Sequence, residues 1–250
     1  MTDRRPTRPI EVMAFNGEVF VAGAIAVAVA ALGAVLARGR RLPRLLAAAA
    51  IGGAIQLALA SGAIAWVFGA GATSRWAWIA EAAGRPDHWA NVTTGFDDST
   101  DELRRRLPGT DGVAIDLFDP DVAHERAITR VRRRAAPPSP PIRATSLADV
   151  LPKKLDAVFL LMAAHEVDPG DRPLVFDAIA NPIGPRGRLV LVEHLRDGAN
   201  ALAFGPGARH FQTRATWVRL GQAAGLRLED DVPLTLFVRG FVFVRDEAHA

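Results

Sequence analysis

The sequence predicts an α/β fold: a doubly wound, mostly parallel sheet covered by helices on both faces, preceded by two transmembrane helices. Three observations carry this expectation. From Val19 to Ala37, and again from Leu45 to Ser74, the chain holds no charged residue. Either run is long enough to cross about 30 Å of hydrocarbon as a helix. Past Arg75, short apolar strands alternate with helical segments, the pattern of a parallel sheet packed on both sides. One of those strands, DAVFLLMAA (Asp156–Ala164), is apolar without alternation, as a strand buried on both faces must be.

The chain therefore divides into an N-terminal tail with a membrane hairpin, 1–74, and an α/β domain, 75–250, with the spans at about 19–37 and 45–69. The small residues Gly23, Ala26, Gly52 and Gly53 suit close packing of the two helices, and Gln56, in mid-span, is placed to hydrogen-bond across the hairpin. The second run ends in Trp66 and Phe68, where an interfacial aromatic belt would lie. A cleaved signal peptide fits poorly, because the first run begins late, is followed at once by a second, and lacks a cleavage site. The connector carries Arg38, Arg40, Arg41 and Arg44, against Arg4, Arg5, Arg8, Arg75 and Arg85 on the other side, so arginine counting leaves the orientation open.

Composition excludes other chemistry. There is no cysteine, which removes disulfides and thiolate metal sites. Basic charge comes almost wholly from arginine, the only lysines being Lys153 and Lys154. The runs Arg104–Arg106 and Arg132–Arg134 read as solvated helix faces or as contacts to anionic headgroups. No aromatic residues are interleaved with the basic ones, so no nucleic-acid partner is expected.

Within the domain, HWANV (His88–Val92) is a strand, and S-T-D-E from Ser99 is a capping box in which Ser99 and Glu102 satisfy the first amides of a helix ending at Leu107. GVAIDLF (Gly112–Phe118) is the second strand. Asp119-Pro120 starts a helix through HERAITRVRRRA, with proline in the tolerated first position. PPSPP (Pro137–Pro141) is a rigid linker and IRAT a brief third strand. DAVFLLMAA follows, then a helix in DRPLVFDAIANPI, a strand from Arg188 to Glu193, and a helix from Thr213 to Ala224 closed by Gly225. LTLFVRGFVFVR reads as two β segments broken near Arg239-Gly240.

Ligands of such sheets lie beyond the carboxyl ends of the strands. That marks the turn Thr93–Asp98, Asp116, the segment Met162–Glu166 and the segment Glu193–Asp197. Asp116 follows Gly95 by 21 residues, the spacing of an acid that grips ribose hydroxyls. Gly95 can take a positive φ cheaply, while Thr93 and Thr94 offer hydroxyls and amides in place of further glycines. Asp97 and Asp98 would repel a pyrophosphate and suit a cationic or zwitterionic ligand.

The region from about Ser74 to Arg245 resembles class I S-adenosylmethionine-dependent methyltransferases. The match is strongest over LDAVFLLMAAHEV and NPIGPRGRLVLVEHLRD, which look like the family's fourth strand and the strand following its P-G-G-type loop. FGPGARHF and FVRGFVFVR look like a methyltransferase type 11-like bacterial subgroup with an N-terminal membrane hairpin. The resemblance implies a seven-stranded Rossmann-like sheet and S-adenosylmethionine as cofactor. It places the methionine end on Thr94, Gly95 and Asp97, with the ribose on Asp116. The acid that often follows the family's third strand is out of register here, with Asp149 nearest and Ser146 as a substitute. The first loop is reduced to TTGFDD, and a cofactor without pyrophosphate needs fewer glycines there.

The expected function is transfer of a methyl group to a small-molecule acceptor, one a membrane hairpin would favour being lipid-soluble. The catalytic domain would lie on the cytoplasmic side of a bacterial inner membrane. His165 is the candidate general base, beside Glu166, at the mouth after the fourth strand; His194, Arg196, Arg209 and His210 are candidate acceptor contacts. A short-chain oxidoreductase is excluded because the chain has no tyrosine. A metal hydrolase built on His165, Glu166, Glu193 and His194 lacks helical H-x-x-x-H spacing. The remaining alternative is a catalytically inactive, membrane-tethered binding module.

Overall fold

The computed structural model describes residues 9–95, 97–121, 126–134 and 139–246. Three helices come first: α1 (Pro9–Phe15), α2 (Gly17–Leu36) and α3 (Arg41–Ala65). Both α2 and α3 are long and apolar enough to cross a membrane, and their apolar stretches are not buried in the molecule. They form an antiparallel pair whose seam needs glycine at two levels. A Cβ on Gly23 would lie 2.9 Å from the Leu57 side chain, and one on Gly53 would lie 2.8 Å from Val27. Gly52 faces open space and takes no part.

Helix α3 does not stop at the domain. It passes through one π turn, Trp66–Ala70, into α4 (Gly71–Ala82). A π turn frees backbone carbonyls from the i→i−4 ladder. Here the buried Arg75 guanidinium donates to the Val67 carbonyl at 2.8 Å, so that group stays satisfied. Helix α4 then lays Trp76 and Ile79 on the sheet. Gln56 bonds elsewhere than expected: its amide donates into the domain, away from the hairpin partner, because a second helix crosses α3 at that level.

The sheet strands are β1 (His88–Thr93), β2 (Asp111–Leu117), β3 (Pro141–Ile142), β4 (Leu155–Leu161), β5 (Ile183–His194), β6 (Leu226–Pro233) and β7 (Val238–Arg245). Their order is β3-β2-β1-β4-β5-β7-β6, parallel except for β7, which runs antiparallel to β5 and β6. The remaining helices are α5 (Thr100–Arg106), α6 (Arg126–Arg134), α7 (Leu147–Val150), α8 (Arg172–Ala180), α9 (Gly198–Phe204) and α10 (Arg214–Ala223). The predicted seven-stranded, doubly wound sheet is therefore present. Strand β4 explains its own unbroken hydrophobicity: Val158 and Leu160 enter one core with Phe176 and Trp217, and Phe159 and Leu161 enter the other with Trp76 and Trp89.

Local expectations need correction in three places. Ser99 makes no side-chain cap; Asp97 Oδ1 instead accepts from the Ser99 and Thr100 amides at 3.1 and 2.9 Å, and Glu102 pairs with Arg105 and Arg106 at 2.5 and 2.6 Å. Pro120 and Asp121 form a turn rather than starting a helix; 122–125, Phe96, the linker residues 137–138 and the tail arginines lie outside the described residues. The terminal β pair breaks at 234–237, with Arg239-Gly240 inside β7. The acidic stretch Glu229–Asp231 hid β6, an edge strand open to solvent. Gly240 is no breaker: a Cβ there would lie 2.4 Å from the Trp78 ring that packs over it.

Gly221 in α10 tests this packing. Glycine to alanine in a helix ordinarily gains up to about 1 kcal/mol. Here the new Cβ would sit 2.5 Å from the buried Phe243 ring, so overpacking decides the sign. Gly221→Ala is expected to lower stability by about 1–3 kcal/mol in denaturant unfolding of the detergent-solubilised chain.

Candidate active site

The carboxyl ends of β1 and β2 form the first half of the site. Thr93 is buried and donates to the Ile115 carbonyl at 3.3 Å, while Thr94 donates to the Ala163 carbonyl at 3.2 Å, tying the turn to the loop after β4. Gly95 has φ +83°, a conformation costly for any residue with a Cβ. Its amide donates to Asp116 Oδ1 at 2.9 Å. Asp116 is fully buried, and its Oδ2 forms an ion pair with Arg132 Nη1 at 2.6 Å. The Arg132 guanidinium also lies 3.9 Å over the Phe118 ring. Helix α6 thus covers the turn so closely that a Cβ on Gly95 would meet Ile128 at 2.9 Å. Asp97 is occupied in capping α5.

The ends of β4 and β5 form the second half. Met162 has φ +55°, the one non-glycine among the described residues in the left-handed region, and its amide donates to the Val192 carbonyl at 2.7 Å. Backbone strain of this kind is retained where the surroundings fix it, often at functional sites. Glu193, fully buried, accepts from the His165 amide at 3.1 Å and meets its Nδ1 at 2.7 Å. Glu166 stands 3.2 Å from His165 Nε2. Arg172, itself buried, donates to the His165 and Val167 carbonyls and holds this loop in place.

Two cavities open here. One of about 350 Å³ runs from Leu117–Asp119 and Ala144 to the His165 loop. The other, of about 410 Å³, lies between the sheet end and the base of the hairpin. Thr94, His165, Glu166 and His210 line both, Met162 and His194 only the larger, and Arg209 only the smaller. Thr93, Gly95, Asp97, Asp116, Ser146, Asp149 and Arg196 line neither. The larger cavity has an apolar wall from Val19, Phe20, Ile64 and Val67 and an aromatic wall in which His194 stacks on Phe211 at 4.8 Å.

Charge within the second half is set by pairing. Burial alone would disfavour a charged His165 ring, but the Glu193 and Glu166 carboxylates override it and push its pKa up to about 10. His165 is therefore an imidazolium at neutral pH. His194 goes the other way: burial and the neighbouring His165 charge push it down to about 3. Its Nδ1 faces the Phe237 carbonyl at 2.8 Å and must donate to it, which leaves Nε2 of a neutral ring as an acceptor.

Residue reading missed three partners. Glu193 ends its strand in plain view, but nothing in sequence tells that its carboxylate turns back to His165. Arg132 sat in an arginine run indistinguishable from a solvated face. The hairpin's share of the cavity left no signal, since its side chains look like any apolar span.

No protein-family model matches the chain, and no curated protein sequence does. Many solved structures match its fold. Human N-acetylserotonin methyltransferase in complex with SAM aligns at TM-score 0.53 and 15% identity over 94% of this chain and 70% of that one. The pyocyanin biosynthetic protein PhzM aligns at TM-score 0.51 and 16% identity over 74% of this chain. The chain spans 58% of the length of PhzM and 57% of the mitomycin 7-O-methyltransferase MmcR. The likenesses to N-acetylserotonin methyltransferase and PhzM agree with the strand order in giving the chain the fold of class I SAM-dependent methyltransferases.

The raised pKa of His165 has a stability consequence with a definite sign. A group whose folded pKa exceeds its unfolded value stabilises fully below the unfolded pKa, here 6.5, and that contribution is lost as pH rises through about 10. Denaturation midpoints of the native chain and His165→Gln should differ most near pH 6 and converge toward pH 10.

Proposed function

We propose that this chain is a membrane-anchored methyltransferase, moving a methyl group from S-adenosylmethionine to a lipid-soluble small molecule. Its hairpin, 1–74, would lie in a bacterial inner membrane, with the domain 75–250 on the cytoplasmic side. The observation that carries the reading is the larger cavity. It joins the strand ends where this fold binds its ligand to the exposed apolar base of α2 and α3. An acceptor dissolved in the bilayer would reach the sheet without crossing water.

The residues present fit the cofactor on one condition. Asp116 sits at the end of β2 with one oxygen fixed by the Gly95 amide, the arrangement suited to a sugar diol. Its other oxygen is held by Arg132, so a bound ribose would have to displace that guanidinium. The space beside Gly95 is filled by Ile128 and the same Arg132 side chain, so a ligand there needs that guanidinium moved as well. Thr94 and Asp98, which line the larger cavity, suit the zwitterionic end of the ligand. When bound, the cofactor supplies a sulfonium methyl that is already a strong electrophile, so the protein's task is alignment and proton management.

For proton management the chain offers His165. As an imidazolium it electrostatically favours an ionised acceptor oxygen, and could donate to it through Nε2 once Glu166 is displaced; as a neutral ring at higher pH it takes the proton itself. Neutral His194 contributes an acceptor nitrogen, and the apolar walls exclude water from the reacting atoms. If His165 must be neutral, kcat/KM rises with pH toward about 10. Glu193→Gln removes the main charge that raises the ring and should move this limb down toward 6.5.

A second reading, a catalytically inactive binding module, is favoured by the Asp116–Arg132 pair. Calorimetry separates the two. The enzyme reading expects saturable S-adenosylmethionine binding that Asp116→Ala abolishes and Arg132→Ala tightens about tenfold, the scale of one charge-assisted bond. No binding by either the native chain or Arg132→Ala at millimolar ligand leaves the module. Incubating membranes with methyl-labelled cofactor tests the acceptor class: label is expected in the lipid extract, and label only in water-soluble products counts against it.

A further inference from the structure

We infer that α9 is immersed in the acyl region of the bilayer and carries the mouth of the larger cavity into it, so that the acceptor passes sideways from lipid to site. This rests on the reading of α2 and α3 as membrane helices. Depth follows from the hairpin's register. Gly23 on α2 faces Leu57 on α3, so the neighbouring Gln56 lies level with the stretch just after Gly23. Glu18, the first charge at the base of α2, is about 7 Å further from the hairpin tip at about 1.5 Å per residue. It is paired there with Arg130 of α6 at 2.8 Å. Gln56 thus sits about 5–10 Å inside the apolar layer, the depth at which amphipathic helices lie. At this level α9 crosses α3.

The hydrogen bonds of α9 point the same way. The last carbonyls of any helix lack intrahelical partners and in water are simply hydrated. In hydrocarbon each must be satisfied by protein. The Gly205 amide donates to the Ala201 carbonyl, closing the helix. Gln56 Nε2 then donates to the next two carbonyls, Leu202 at 3.1 Å and Ala203 at 2.7 Å. One observation explains the other: a polar amide in an apolar span is costly, and a helix end in lipid needs such a donor.

The surface completes the case. Leu202 of α9 is 64% exposed, and on α3, which α9 crosses, Ile55 is 55% exposed and Leu59 37%. The polar residues of α9 are confined to its first turn: Asp197, exposed at the start of the helix, accepts from the Asn200 amide at 2.9 Å, and Asn200 is fully buried. Phe204, at the end of α9, lines the larger cavity with Phe211. The exposed leucine and one member of the cavity's aromatic wall, Phe204, therefore belong to one short helix.

The natural absence of cysteine allows single-site labelling of the full chain. Leu202→Cys, Val29→Cys and Leu174→Cys carry an environment-sensitive fluorophore in phosphatidylcholine–phosphatidylglycerol vesicles, with quenchers attached to acyl chains or dissolved in water. The expected result is a loss of fluorescence at 202 to the acyl-chain quencher comparable to that at 29, with 174 responding only to the aqueous one. In a Gln56→Leu background, the unpaired carbonyls should draw α9 out and shift 202 toward the aqueous response. Lipid-like quenching at 29 with an aqueous response at 202 overturns the inference and leaves the membrane reading standing. An aqueous response at both sites overturns both.

Discussion

The helical run from Arg41 to Ala82 is the constraint on which the rest of this molecule hangs. Because α3 enters α4 through a single π turn, with no linker, the hairpin has little rotational freedom relative to the sheet. Its C-terminal part is pinned by burial of Trp76 and Ile79 against β4 and β5, and the turn itself by Arg75 on the Val67 carbonyl. The base of the hairpin is thereby held over the strand ends, where the fold keeps its ligand-binding edge. A cavity with one wall from each part follows directly.

Within that edge, two buried carboxylates are treated in opposite ways. Glu193 spends both oxygens on His165, fixing the loop through the backbone and the ring through Nδ1. An ion pair so deeply buried gives positioning more than net stability, because desolvation offsets the Coulomb gain. Asp116 spends one oxygen on the Gly95 amide and the other on a residue of α6, a helix at the periphery. His165 lies in the short turn after β4 that Arg172 holds in place, whereas Arg132 lies on a helix covering the edge. The same element, through Arg130, also meets the base of the hairpin. Helix α6 therefore touches both Asp116 at the sheet edge and Glu18 at the base of the hairpin.

The apolar surface of the hairpin has the same logic as the cavity it borders. Its exposed leucines, valines and isoleucines would be a liability in water. On the proposed membrane-anchored reading they would face lipid, and the cavity would open toward the phase in which an apolar acceptor concentrates. Two polar groups at that boundary find partners across elements: Gln56 on α9, and Glu18 on Arg130.

The amino-acid sequence determined the architecture, because strand burial and uncharged helix length are properties of short segments. DAVFLLMAA reads as a strand covered on both faces, as β4 is up to Leu161, and the two uncharged runs read as the long apolar helices they form. It also marked Asp116, His165 and Glu166, since chain order places the ends of β2 and β4 on one edge. Tertiary structure alone decided who partners whom. Gln56 and Leu202 are 146 residues apart, and Asp116 meets Arg132 through a helix whose arginines look solvated in sequence. Gly240 reads as a break yet sits mid-strand, because the Trp78 ring that requires it comes from a distant helix. Such contacts depend on three-dimensional closure of elements far apart in the chain, and no local pattern encodes them.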